Sequence, residues 1–359
     1  MIQSSQVRER IEQDERDRLS PLAAKAGESR GRPRPEPPDS IRTAFQRDRD
    51  RIIHCKAFRR LKHKTQVFIA PMGDHYRTRL THTLEVAQIG RTIARALRLN
   101  EDLVEAISLA HDLGHAPFGH AGEEAIREVF DPQYRHNDQS LRIVDYLAKD
   151  GDGLNLTYEV RLALPDSTPV SAGLAGEGGG QTTVEGKVQK ISDSIAYINH
   201  DIDDAIRAGI ITGADLPRTA TAILGDSHSA RINTMVCNLV AENWAVAYPP
   251  AGAPLPPPAH IQLHFTPAVL AAADELKTFL LHRVYIGSAA KGEQDRVHAV
   301  IHALYRHYCQ HFDEIPAELA RNPRDEPQER IVVDYIAGMT DRFAIEKFQE
   351  LYVPKLWSI

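Results

Sequence analysis

The sequence predicts an all-α fold: a helical bundle forming a single large domain, with an irregular N-terminal arm and two long loops. Three observations carry this. Apolar residues recur at three- and four-residue steps through most of the 359 residues, which is the period of a helix with one buried face. Runs that alternate as a strand would are scarce, only "TQVFI" and "IQLHF" qualifying. Prolines and glycines that break regular structure are gathered into a few stretches rather than spread at the spacing of a sheet protein.

Taken in order, residues 1–41 combine dense charge with "GESRGRPRPEPPDS", and repeated prolines remove backbone donors, so an irregular arm is expected there. The domain runs from 42 to 359. It opens with Phe45, Ile52, Ile53, Phe58 and Leu61 at helical steps, and similar periodicity predicts helices over 82–98, 101–113, 121–130, 138–149, 187–208, 228–247, 266–286, 294–312 and 328–352. The segments 165–186 and 248–260, "PDSTPVSAGLAGEGGGQTTVEG" and "YPPAGAPLPPPAH", are expected to be loops. The glycines at 174–180 are not a phosphate-binding P-loop, because no Lys-Ser/Thr follows and no strand precedes them.

Composition narrows the class of function. Cys55, Cys237 and Cys309 lie far apart without CxxC spacing, which argues against a disulfide framework and a thiolate zinc site and fits a reducing cytoplasm. The amino terminus is charged where a signal peptide needs an apolar core, and no apolar run is long enough to span a bilayer. A formal charge of −6 gives no overall basic footprint for nucleic acid, although residues 42–68 concentrate arginine and lysine. A polyanionic small molecule suits that run; so does a plain solvated helix face.

The chemistry gathers in "LAHDLGHAPFGHAGEEA", residues 109–125. His111 and Asp112 offer an imidazole and a carboxylate, ligands that a divalent cation accepts, but two ligands make a weak site. His82, near the start of an apolar-striped helix, and Asp193, inside another, are the further candidates. Asp193, Tyr197 and Asp201 stand at i, i+4 and i+8 and form one polar line on a helix that is otherwise apolar. A single histidine on an apolar helix is more often structural than a ligand; His63, His75, His264, His302, His307 and His311 stand in no motif, and most of them are expected to be solvated. The combination of an H, an adjacent HD and a distal D, with His115, His120 and Glu123 close behind the pair, carries more weight.

With "AFRRLKHKTQVF", "YRTRLTHTLEVAQIGRTIAR", "YRHNDQSLRIV", "SDSIAYINHDIDDA" and "DYIAGMTDRFA" in the same order, the chain resembles the HD-domain phosphohydrolases, and among them the bacterial deoxyguanosinetriphosphate triphosphohydrolase-like proteins, from about residue 40 to its end. The resemblance implies an HD-domain helical bundle with one divalent metal per subunit, magnesium, manganese or another transition ion, held by His82, His111, Asp112 and Asp193. It implies hydrolysis of a deoxynucleoside triphosphate to deoxynucleoside and inorganic triphosphate. It also implies assembly as a homo-oligomer, a hexamer of rings or stacked trimers, with a deoxynucleotide activator at subunit contacts.

That reaction breaks the bond from the α-phosphorus to the 5′-oxygen, so the site must neutralise phosphate charge, aim a water in line and protonate an alkoxide. His120 and Glu123 are expected to pair as acid and base, and the resemblance implies that His115 and His136 approach the phosphates or leaving group. By resemblance Arg79 grips the α-phosphate, Gln66 reaches the deoxyribose 3′-hydroxyl, and Tyr197 and Asp201 pack on and hydrogen-bond the sugar. Arg283, Tyr285, Tyr335 and Asp341 are further expected to line the pocket. One position departs from the pattern: Ser194 stands where many relatives carry a basic residue, which shifts phosphate contacts to Arg79, Lys187, Lys190 or the basic run at 42–64. Two other readings of the same residues remain, an HD-type 5′-nucleotidase, phosphodiesterase or alarmone hydrolase, and a regulatory single-strand nucleic-acid-binding protein with a vestigial site.

Overall fold

The computed structural model describes residues 5–66, 77–165, 183–250, 252, 254–285, 288–321 and 324–354. Its helices are α1 (Ser5–Arg18), α2 (Ala44–Ile53), α3 (Lys56–Arg60), α4 (Arg79–Ala96), α5 (Glu101–Ala110), α6 (His120–Val129), α7 (His136–Arg142) and α8 (Tyr158–Ala163). There follow α9 (Val184–Arg207), α10 (Arg218–Leu224), α11 (His228–Glu242), α12 (Pro267–Leu280), α13 (Ser288–Gln310), α14 (Gln328–Ala337) and α15 (Asp341–Tyr352), with a few single turns between them. No strand forms among the described residues; the single β contact is an isolated bridge between Thr65 and Thr78. The fold is all-α. Most of "TQVFI" lies outside the described residues, as do His75 and the glycine-rich stretch 174–180.

Three helices build the frame around the site. α4 starts at a reciprocal cap in which Thr78 and Thr81 each accept the other's backbone amide, and it packs against both α5 and α9. Ile89, Ile93, Val104, Ile191, Ile195 and Ile198 share one buried cluster along that contact. α5 is capped by Asn100, which accepts from the Leu103 amide, and its other face packs on α2 in a second cluster. A third cluster joins α6 to α13 and α14. The polar residues of interest sit where α4, the end of α5, the start of α6 and the middle of α9 meet.

The arm differs from expectation. Residues 5–18 are helical, because Glu, Gln and Arg favour helix and pair one turn apart, as Arg8 and Glu12 do at 2.7 Å. Leu22 and Ala23 are buried with α4 and α9, and only the proline-rich remainder is irregular. Two buried ends tie it down: Arg32 pairs with Asp48, and Glu185 Oε1 accepts from the Ala24 and Asn100 amides at 2.9 and 3.1 Å. The loop expected over 165–186 ends earlier, since Thr183 caps α9 from Val184. The helix expected over 328–352 is two helices, broken at Gly338–Thr340. "IQLHF" is extended with Ile261, Leu263 and Phe265 buried, yet His264 spends its backbone on the Asn243 side chain, N donating to Oδ1 at 3.1 Å and the carbonyl accepting from Nδ2 at 2.8 Å, and the following Thr266 N donates to Asn238 at 3.0 Å. Its alternation reported burial correctly, but no second strand pairs with it among the described residues.

Burial pushes the Glu185 carboxyl up to about 7, against the amide hydrogen bonds that favour its charge. The unfolded chain releases this proton near the ordinary glutamate value, so the folded state binds extra proton between about 4.5 and 7. Its stabilising effect is complete below that window and is lost as pH rises through 7. Glu185→Gln is therefore expected to raise stability by roughly 2 kcal/mol at pH 8 and by little at pH 4. Urea denaturation at the two pH values checks it; an equal change at both would show that the carboxyl is not the cause.

Candidate active site

α4, α5 and α9 bring four of the expected residues together. His82 Nε2 lies 3.0 Å from Asp193 Oδ1, and His111 Nε2 lies 3.8 Å from the same oxygen. Asp112 flanks them, Oδ1 at 3.3 Å from His111 Nε2 and Oδ2 at 4.0 Å from His82 Nε2. Donor atoms of His82, His111 and Asp193 all fall within 4.8 Å of one another; Asp112 lies beside this tight group, its Oδ2 already accepting from Arg79 Nη1 at 2.9 Å.

The histidine tautomers show what this cluster fits. His111 Nδ1 stands 2.6 Å from the Ser108 carbonyl, an acceptor only, so the nitrogen must carry the proton. Nε2 is buried and has no hydrogen-bond partner among the described residues; burial pushes the ring down, but Asp112 and Asp193 outweigh it and hold it above the usual imidazole range. Two carboxylates against this nitrogen call for positive charge there, a proton or a cation, and two imidazoles with two carboxylates are a donor set for a divalent ion.

His82 is set from behind. Its Nδ1 lies 3.3 Å from His200 Nδ1, and His200 Nε2 contacts Glu85. Burial brings His200 down to about 4, leaving the ring neutral. Burial also pushes Glu85 up, but His200 and Arg77 outweigh it and bring the carboxyl down to about 2. Arg77 in turn holds Asp203 and Asp204 at 2.9 and 3.1 Å. Protons consistent with this chain run from His82 Nδ1 to His200 and from His200 Nε2 to Glu85, which leaves the His82 Nε2 lone pair facing Asp193. Glu85 and His200 escaped the sequence reading, although their spacing on α4 and α9 relative to His82 and Asp193 put them on the same buried seam.

A second cluster adjoins the first through Asp112, whose Oδ1 lies 3.4 Å from His115 Nε2. The His115 and His136 rings stack at 3.7 Å. Glu123 Oε2 lies 2.9 Å from His136 Nδ1 and 3.5 Å from His120 Nδ1, while Oε1 accepts from Arg127 at 2.6 Å. The expected His120–Glu123 pair is thus a shared carboxylate, closer to His136 than to His120, whose ring is exposed. Burial pushes Glu123 up, yet the bonds from His120 and His136 prevail and hold it well below the usual carboxylate range.

Backbone geometry delivers these rings. At Gly114 the first turn of α7 passes so close that a Cβ would stand 2.2 Å from Ser140 N, and the Ser140 hydroxyl accepts from the Gly114 amide at 2.8 Å and donates to the His111 carbonyl at 2.7 Å. Phe118 and Gly119 both take positive φ, 66° and 63°, turning the chain into α6 so that His120 and Glu123 occupy its first turn. Asp341 clamps this turn, accepting from the Phe118 amide at 2.8 Å and from the Thr65 amide at 2.8 Å. Lys64 Nζ donates to the carbonyls of His115 and Ala337 at 2.5 and 2.9 Å, and burial brings it down to about 7. The expectation that Asp341 lines a pocket is corrected: both its oxygens hold backbone.

On the other side of Arg79, which is buried with an unpartnered Nε, lie the sugar candidates. The Tyr197 and Tyr285 rings stack at 6.2 Å and Tyr285 donates to Asp201. Burial pushes Asp201 up to about 8, and Arg79 is near enough to act against it. Gln66 Oε1 and Asp201 Oδ1 are buried without hydrogen-bond partners among the described residues. Three expectations are displaced. Lys187 Nζ donates to the Ile261 and Pro258 carbonyls at 2.5 and 3.2 Å, so its charge is spent on backbone. In the run at 42–64, Arg42, Arg47, Arg49 and Arg51 pair with Asp39, Asp50, Glu36, Asp102 and Glu105. Tyr335 packs on Tyr308 in the third apolar cluster, and Arg283 is exposed. Ser194 is buried and donates to the Lys190 carbonyl at 3.2 Å within its own helix.

A model of the HD domain matches residues 79–198, and one of a phosphohydrolase-associated domain matches residues 263–350. The chain is 51% identical over 351 residues to a deoxyguanosinetriphosphate triphosphohydrolase-like protein of Caldanaerobacter subterraneus subsp. tengcongensis, covering 98% of this chain and 97% of that protein. Proteins of the same description from Desulfatibacillum aliphaticivorans and Clostridium tetani are 44% and 42% identical, over 97% and 99% of this chain and 98% and 99% of theirs.

Proposed function

The chain belongs to the HD-domain phosphohydrolases, among the deoxyguanosinetriphosphate triphosphohydrolase-like proteins, and on that premise we propose that it hydrolyses deoxynucleoside triphosphates to deoxynucleoside and inorganic triphosphate. The observation that carries this is the junction at Asp112: Oδ1 lies against His111 of the cation cradle and His115 of the His–Glu cluster, and Oδ2 against the buried Arg79.

His82, His111, Asp112 and Asp193 would hold one divalent cation. Bound there, it supplies Lewis acidity to an α-phosphate oxygen and to an attacking water. Arg79, rigid against Asp112, offers its free guanidinium edge to the same phosphate. Glu123 stays ionised and holds Nδ1 of His136, turning Nε2 of that ring outward, where it can carry the proton for the departing 5′-oxygen; His120 is the alternative carrier. Gln66 and Asp201 provide hydrogen-bonding groups for the 3′-hydroxyl, and the Tyr197 ring set against C2′ would exclude a 2′-hydroxyl. Assembly as a hexamer and a deoxynucleotide activator belong to the same reading. Among the described residues no helix is long and apolar enough to cross a membrane.

Turnover of the four deoxynucleoside triphosphates with magnesium or manganese, with products resolved, tests the proposal. Inorganic triphosphate with deoxynucleoside is expected; orthophosphate or pyrophosphate as first product overturns it. The buried Ser194 and the engaged Lys187 leave fewer cations for a long phosphate chain, which favours a nucleoside monophosphate substrate if triphosphates fail. Glu123→Ala is expected to lower kcat about a hundredfold or more while bound metal stays at the wild-type level, measured by steady-state kinetics beside metal analysis. Unchanged kcat would remove Glu123 from the acid–base machinery.

A further inference from the structure

Away from the active site, we propose a second cation site on the seam between α6 and α13, formed by Glu128, His298 and His302 and suited to zinc-class transition ions. His298 and His302 stand one turn apart on α13, so both rings lie on one face and reach across to α6. There a single oxygen, Glu128 Oε2, lies 3.1 Å from His298 Nδ1 and 3.1 Å from His302 Nε2. One donor atom from each residue falls within 4.8 Å of the others. Ligands held ~2.0–2.2 Å from one tetrahedral ion stand roughly 3.3 Å from each other, so both separations suit a shared ion.

A hydrogen-bonded cluster does not account for all of this. Glu128 satisfies His298 Nδ1, but His302 Nε2 is buried and makes no hydrogen bond despite its distance from the oxygen. An ion between them would engage that nitrogen. The backbones carrying the ligands are already fixed, because Val297 and Ile301 pack with Ala125 and Ile126 in one apolar cluster, and Gln294 bonds Glu124 one turn along the seam. The site therefore needs little ordering to bind.

The donor set names the ion class. Two imidazoles and one carboxylate bind zinc, cobalt, nickel or copper in preference to magnesium, which demands oxygen ligands and keeps its water. Glu128 lies on the same helix as Glu123, so an occupied site would fasten to α13 the helix that presents the His–Glu cluster.

The test is a zinc count on the full chain after dialysis against zinc with excess magnesium. Five proteins serve: wild type, Asp193→Ala, Glu128→Ala, the double variant His298→Ala/His302→Ala, and that double variant combined with Asp193→Ala. Wild type is expected to hold one more equivalent than the double variant, Asp193→Ala one more than the triple variant, and Glu128→Ala to lose the same equivalent as the double variant. Cobalt substituted into Asp193→Ala should give visible d–d bands that disappear in the triple variant. Circular dichroism identifies any variant that does not fold, and the exposed Glu128→Ala then carries the comparison alone. Equal zinc in wild type and the seam variants overturns the proposal, whatever Asp193→Ala does. Loss of zinc in Asp193→Ala alone refutes the seam site while leaving the active-site reading intact.

Discussion

Asp193→Ala is expected to lose the active-site cation and to lower hydrolysis by at least about a thousandfold, since a Lewis acid at a reacting phosphate is worth several kcal/mol. Asp193 is the sole member of the cradle contributed by α9, and its Oδ1 faces both imidazole nitrogens, 3.0 Å from His82 and 3.8 Å from His111. Asp112 does not replace it, because one of its oxygens is engaged by Arg79. Asp201, two turns further on, is held by Tyr285. The helix itself should survive: Ile191, Ile195 and Ile198 bury its apolar side independently of the carboxylate. Metal analysis, circular dichroism and turnover measured on one preparation check the three parts together. A variant that keeps its active-site metal at wild-type affinity would rule out the cradle.

Gly114→Ala is expected to cost about 3 kcal/mol or more and to remove activity from whatever fraction folds. A methyl there would stand 2.2 Å from Ser140 N, 2.3 Å from the His136 carbonyl oxygen and 2.6 Å from Gln139 C. All three are backbone, so no side chain can swing aside; α7 has to move as a unit. That movement breaks the Ser140 bridge between the Gly114 amide and the His111 carbonyl and draws His136 from Glu123. Gly213→Ala is the control, with nothing within 4 Å of the added carbon, and should be nearly neutral. A fall in the urea midpoint for the first variant alone, at constant slope, fits the account. Equal midpoints for both would mean that the turn tolerates a side chain.

The helices and the central motif were legible because their logic is local. A three- to four-residue period records which face is buried, and His111, Asp112, His115, His120 and Glu123 lie within one helix–turn–helix. What the period missed has physical reasons as well. α1 was hidden by a composition that also suits disorder, and "IQLHF" alternates because one side is buried, although its His264 backbone bonds the Asn243 side chain and not a neighbouring strand. The basic run from 42 resembled an anion site, yet Arg42, Arg47, Arg49 and Arg51 are paired with Glu36 and Asp39 from the arm and with Asp102 and Glu105 on α5.

The amino-acid sequence by itself determined the helical class, the family motifs and the residue types capable of cation and proton chemistry, since all three reside in spacing along the chain. Only the tertiary structure decided which groups remain available for that chemistry. Lys187 was withdrawn by backbone carbonyls, Asp341 by the amides of Phe118 and Thr65, and Glu123 was divided between two imidazoles. Such pairings join residues up to 276 positions apart. A buried charge must find its partner wherever packing brings one, and a partner chosen that way leaves no mark in the neighbouring sequence.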